Sequence, residues 1–227
     1  LFFTISIHKY FIFVKIFKNS FVLKNILLHP AYFPSIETMA YIAQADKVIW
    51  ETEDNYQKQT YRNRAYIAHS NGALLLNIPI LHKKGKRQKT RDVLTVQDFS
   101  WQKQHLKSLQ TAYRTSPFFE YYEDDLLELF TQQATNLMDH NFRIFEILCD
   151  LIGLEIETSK TTSYEKDTNF MDFRFLVDAK RENQFQNQPY TQVLEEHHGF
   201  LPNLSILDLL FNEGTNTLNY LQNQELP

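Results

Sequence analysis

Ile26-Leu27-Leu28-His29-Pro30-Ala31-Tyr32-Phe33-Pro34-Ser35, with Lys47-Val48-Ile49-Trp50 a short way on, decides the fold. Residues 26–28 form an apolar run cut off by His29-Pro30, the pattern of a short buried strand and its end. The two prolines fix φ on either side of an aromatic pair, so the backbone leaving the strand is rigid. Ser35 is placed to cap a helix that runs to about Asp46. Residues 47–50 then read as a second strand. Strand, helix and strand with short connections is the unit that makes a parallel pair.

Reading outward, residues 62–69 alternate like a strand, Asn71-Gly72 is a hairpin turn, and residues 73–80 are its apolar partner. Residues 93–96 read as a further short strand. Helices are expected over 101–113, 118–133 and 139–151, the last stopped by Gly153. Residues 155–158 are a candidate strand, and 159–189 form a long polar segment of the kind that builds active-site loops. Residues 190–198 read as a short helix. Ser205-Ile206-Leu207-Asp208 resembles a capping box opening another helix, which Gly214 ends. The expected class is α/β: an N-terminal mixed sheet that starts strand-helix-strand, followed by an α-rich C-terminal half.

With 227 residues, 43% of them hydrophobic, the chain is long enough for one sizeable core. The net charge of −4 gives no overall electrostatic case for nucleic acid. One cysteine rules out an intramolecular disulfide framework and fits a reducing, cytoplasmic setting. The 5 glycines form no phosphate-cradling loop, and neither a metal nor a cofactor motif is present. Residues 1–25 read as an extension outside the fold, and residues 26–221 as one α/β domain. His8, Lys9, Lys15 and Lys18 interrupt the apolar start, so no membrane span is expected there. Its lysines and aromatics would also suit a membrane-surface anchor.

Three groups of residues could carry chemistry. His29 and Tyr32 sit at the carboxyl end of the first strand, the edge where open α/β sheets bind ligands. A histidine there can act as a general base, and Tyr32 can donate a hydrogen bond. The plainer alternative is a turn held by two prolines, with His29 capping a backbone group. Tyr56, Lys58, Arg62, Asn63 and Arg64 form the second group. If residue 62 begins a strand, Arg62 and Arg64 share a face and make a fork for a carboxylate or phosphate. A solvated strand edge would look the same. The third group is the basic run 82–91, with Lys86 and Arg87 beside Gly85, suited to a phosphate-bearing substrate or an acidic carrier protein. Cys149 lies in an amphipathic helical pattern and reads as core. Ser159, Thr161 and Thr162 open the polar segment as weaker binding candidates.

"HPAYFPS", "ADKVIWE", "DNYQKQTYRNRAYI", "WQKQHLKSLQTAYRTSPFFEYYEDDL" and "HGFLPNLSILDLLFNEG" closely resemble the WbqC-like family of bacterial proteins, over roughly residues 26–221. The resemblance implies an amino-acid (glycine) transferase linked to surface-polysaccharide (O-antigen) synthesis. On that reading an acyl or aminoacyl group passes to an amino sugar or related small amine. His29 or Tyr32 handles the proton, and Arg62, Asn63 and Arg64 hold the anionic part of an activated substrate. With no cysteine nucleophile or serine elbow, direct attack by the amine is expected. The rival is a non-catalytic binding or assembly module that docks an acidic carrier or an envelope-synthesis partner through the basic loop.

Overall fold

The structure, a computed structural model, describes residues 23–82, 87–182 and 184–227. The N-terminal extension up to residue 22, and Lys86 with its neighbours at 83–85, lie outside the described residues. The chain begins with β1 (Leu23–Leu28), α1 (Ile36–Ala43) and β2 (Ala45–Trp50), as the opening stretch predicts. β1 and β2 pair in parallel, with Leu28 opposite Trp50. Ser35 caps α1, its Oγ accepting from the Thr38 amide at 3.3 Å. All of α1 is buried, packed on β2 and on the C-terminal helices. The strand begins at Leu23, earlier than the expected Ile26.

β5 (Glu157–Lys160) is displaced by two residues from the candidate strand at 155–158 and joins β2, whereas β6 (Met171–Asp172), inside the polar segment where no strand is expected, joins β1, both in parallel. The result is a four-stranded parallel sheet in the order β5-β2-β1-β6. β3 (Arg64–His69) and β4 (Gly72–Asn77) form a separate antiparallel hairpin turned at Ser70-Asn71. Parallel and antiparallel pairing thus coexist, in two sheets. Residues 93–96 make no strand; Thr95 and Leu94 form single bridges to Ile80 and Asn136.

Helices α2 (Trp101–Tyr113), α3 (Phe119–Thr131) and α4 (Leu137–Ile152) follow, the last closed by Gly153 at φ 69°. Then come α5 (Glu195–His198), far shorter than expected, α6 (Ile206–Glu213) and α7 (Thr217–Gln222). Ser205 does cap α6, accepting from the Leu207 amide. Asp208 does not complete a capping box. It is fully buried and accepts from Tyr113 (2.7 Å), Tyr190 and Gln192 (2.9 Å). The Tyr113 hydroxyl also accepts from the Ala68 amide at 2.9 Å, which ties α2, α6 and the hairpin together. One contiguous cluster of buried apolar residues runs from Leu23 to Leu221. Among the described residues no helix is long and apolar enough to cross a membrane.

Candidate functional site

Because the four strands of the larger sheet are parallel, their carboxyl ends share one edge. His29 follows β1, Glu51 follows β2, Thr161 follows β5, and Arg174 lies just after β6. The ladder is prolonged there: the Glu51 amide donates to Leu28 at 2.7 Å, Thr161 to Trp50 at 2.9 Å and Phe173 to Leu27 at 3.0 Å. This edge is the usual ligand site of open parallel sheets. A cleft of about 740 Å³ opens beside it, lined by His29, Asp54, Arg62, Lys166, Arg174 and Arg181 among others. Five cationic side chains line it against three aspartates, so it favours an anion although the whole chain is acidic.

The segment after β2 forms one wall. Bridges from Asn55 to Lys89 and from Thr60 to Asp178 pin it down. Asp54 and Arg62 thereby meet inside: Arg62 Nη2 donates to Asp54 Oδ2 at 2.6 Å, with Arg62 only 1% exposed. Thr90 donates to the other Asp54 oxygen at 2.6 Å. Burial pulls the Arg62 pKa below its ordinary value, and Asp54 opposes part of that pull. Arg62 Nε and Nη1 have no protein partner. His29 Nε2 lies 3.7 Å from Asp54 Oδ2. Burial, then Arg62 and Arg174, push the His29 pKa well below its ordinary value. The imidazole is therefore neutral at pH 7, and its approach to Asp54 is a dipolar contact, not an ion pair.

Arg174 forms the opposite wall. It grips Asp172 through Nε (2.9 Å) and Nη2 (2.6 Å) and reaches Glu51 Oε2 at 3.3 Å. It also donates to the carbonyls of Glu165 (2.8 Å) and Lys166 (3.1 Å). Its hydrogen bonds with Asp172 raise its pKa above the ordinary arginine value. Glu51 is 1% exposed and is fixed in turn by the Glu53 amide and the Thr161 hydroxyl. Arg174 is thus held rigidly, its donors engaged and its charge met by Asp172 and Glu51, whereas Arg62 keeps two buried nitrogens without a protein partner.

The residues singled out from the sequence divide. His29, Arg62 and the exposed Arg87 line the cleft. Asn63 and Arg64 are not among its lining residues. β3 begins at Arg64, so the alternation that would put Arg62 and Arg64 on one face does not reach back to Arg62. Asn63 is spent on structure: it donates to Ile78 O at 2.9 Å and accepts from the Tyr56 hydroxyl at 3.0 Å. Burial raises the Tyr56 pKa, and Lys58 is exposed outside the cleft. Ser159, Thr161 and Thr162 line a separate groove of about 310 Å³ on the sheet face. Glu51, Asp54, Asp172, Arg174 and Arg181 were not singled out. Glu51 could have been found, since it follows β2 as His29 follows β1.

Tyr32 does not line the cleft. Phe33 adopts φ 39°, and the turn drives Tyr32 into the core, where its hydroxyl meets His105 Nδ1 at 2.7 Å. Trp101 and His140 pack around it. Burial lowers the pKa of both His105 and His140 to about 4. The unfolded chain, with histidine near 6.5, then binds more protons than the folded one between about pH 6.5 and 4. Stability is fully present above that window and is lost as pH falls through it. The loss is on the order of 3 kcal/mol for each histidine. Urea midpoints measured from pH 7 to 4 should fall steadily; a flat profile would contradict the buried neutral state.

The parallel sheet, the buried histidine at its carboxyl edge and the cleft beside it define an α/β protein whose sheet edge opens on a cationic pocket. Residues 29–184, well over half of the chain, match the WbqC-like protein family, and the chain belongs to it. A curated relative is the uncharacterized protein Rv1507c of Mycobacterium tuberculosis, 26% identical over 226 residues, covering 88% of this chain and 97% of that protein. No solved structure gives a significant match.

Proposed function

We propose that the chain is a cytoplasmic transferase that forms an amide by moving an acyl or aminoacyl group from an activated, anionic donor to a small amine. Membership of the family suggests this chemistry and its setting in surface-polysaccharide synthesis. The observation that carries the site assignment is the pairing of a buried, neutral His29 with Arg62 in one cleft, two of whose guanidinium nitrogens lack a protein partner. The acceptor nitrogen attacks the acyl carbon, and the C–N bond forms as the bond to the leaving group breaks. His29 takes the nitrogen's proton and passes it to the leaving group. Arg62 holds the donor's anion, within the field of Arg174 and Lys166. Cys149 takes no part: it is buried, and burial pushes its thiol up to about 12. Arg87, within the basic run 82–91, is suited to guide an acidic carrier toward the cleft.

Inorganic pyrophosphate is the probe for the anion site. Arg62→Lys keeps the charge and loses the fork, so binding should weaken by about 1.5–3 kcal/mol. Arg87→Lys should cost far less, and its effect should fade with added salt because the side chain is exposed. Calorimetric titration of both variants at low and high ionic strength decides this. Equal, strongly salt-dependent losses at the two positions would mean a diffuse positive patch and no built site.

A further inference from the structure

Beside the cleft lies a second cavity of about 170 Å³, lined by Glu37, Tyr61, Tyr66, Asp178, Arg181 and Asn203 among others. Asp178 and Arg181 line both spaces, so the two are neighbours across a shared wall. Their charges oppose. The smaller cavity sets two carboxylates against one guanidinium, the reverse of the cleft's balance. We infer that this compartment binds the ammonium group of a small amino compound.

Glu37 carries the argument. It stands in the first turn of α1, where the helix dipole favours a carboxylate, and is 2% exposed. Oε2 is fully used: it pairs with Arg181 Nη2 and accepts from Asn203 Nδ2 at 3.2 Å. Asn203 Oδ1 accepts in return from the Glu37 amide at 2.9 Å. Asn203 makes this two-point clamp from a left-handed backbone, φ 52°. Oε1 has no protein partner. A buried carboxylate oxygen without a donor is costly to maintain. An ammonium brings three donors and a positive charge.

The aromatic walls suit the same guest. Tyr61 and Tyr66 meet edge to face, ring centroids 6.2 Å apart, and their rings attract a cation. Burial, with Tyr66 and Glu37 adding to it, raises the Tyr61 pKa, so its hydroxyl stays neutral. Together the two spaces match a zwitterionic substrate, its anion on Arg62 and its ammonium on Glu37. That matching favours an aminoacyl donor over a plain acyl one. This last assignment rests on the transferase reading; the ammonium site itself does not.

The test is titration of the wild-type protein with ethanolamine hydrochloride and, at matched ionic strength, with neutral ethylene glycol. Ring signals of Tyr61 and Tyr66 are followed by NMR. The expected result is saturable shifts with the ammonium only, weakened roughly tenfold or more by the near-isosteric Glu37→Gln. Equal shifts from both compounds would mean that the cavity merely holds polar solutes. No saturable shift in the wild type, or unaltered affinity in Glu37→Gln, would overturn the assignment equally. The wild-type comparison stands even if the variant folds poorly. His29→Gln should leave the ammonium titration unchanged. Intact ammonium binding without amide formation from any donor would sink the transferase reading alone.

Discussion

Replacing His29 by Gln is expected to lower the rate of amide formation by roughly 10²–10⁴-fold, the usual contribution of a positioned general base. Glutamine keeps a hydrogen-bonding side chain of similar reach but cannot take up a proton, so it separates proton transfer from positioning. The fold should persist, because the His29 ring makes only a 3.7 Å approach to Asp54 and a hydrogen bond with the Glu51 backbone, which glutamine can replace. The pH dependence gives an independent check. Burial and the two arginines hold the imidazole neutral well below its ordinary pKa. The base form is therefore present throughout the neutral range, and the acid limb of kcat/KM should lie below pH 6.5. A Gln variant that retains the rate would make His29 a binding residue. An acid limb at or above the ordinary histidine value would mean that the imidazole is not desolvated as described.

The largest effect on stability should come from Asp54→Ala. Arg62 is 1% exposed, and Asp54 Oδ2 is its anionic partner at 2.6 Å. Removing the carboxylate strands a buried guanidinium, which costs about 3–5 kcal/mol. The Thr90 hydroxyl loses its acceptor as well. Adding Arg62→Met should recover most of the loss, because the pair is then replaced by apolar contact. Urea unfolding of the two single variants and the double variant measures the coupling. A double variant no more stable than Asp54→Ala would show that Asp54 acts through the Thr90 side of the wall and not through Arg62.

The opening strand-helix-strand was legible because its signals are local: apolar runs of the right length, a proline stop and a serine cap. β5 was legible only to within two residues, and β6 was not legible, because parallel partners lie far away in sequence. Glu157–Lys160 is polar and mostly exposed and Met171–Asp172 is two residues long, and only β2 and β1 fix their places. The site was legible in part for the same reason. His29 was found because it follows a strand that could be read. Arg174 follows one that could not, and it lay hidden in a polar segment without periodicity. Arg62 was found as one of a pair with Arg64, yet a strand that starts at Arg64 undoes the pairing. Asn63 looked equally chemical, but its amide satisfies the backbone at Ile78, a demand that becomes visible only once the hairpin is closed.

The most direct test of the transferase account is product formation by the purified protein. A small primary amine would be incubated with an acyl thioester, an acyl phosphate and an aminoacyl phosphate in turn, and the mixtures analysed by mass spectrometry. The account predicts a new amide that depends on the protein, is strongest with the aminoacyl donor, is inhibited by pyrophosphate and is lost in His29→Gln. Tight binding of an acidic carrier protein, with no amide above the protein-free rate from any of the three donors, would contradict it and leave a docking module in its place.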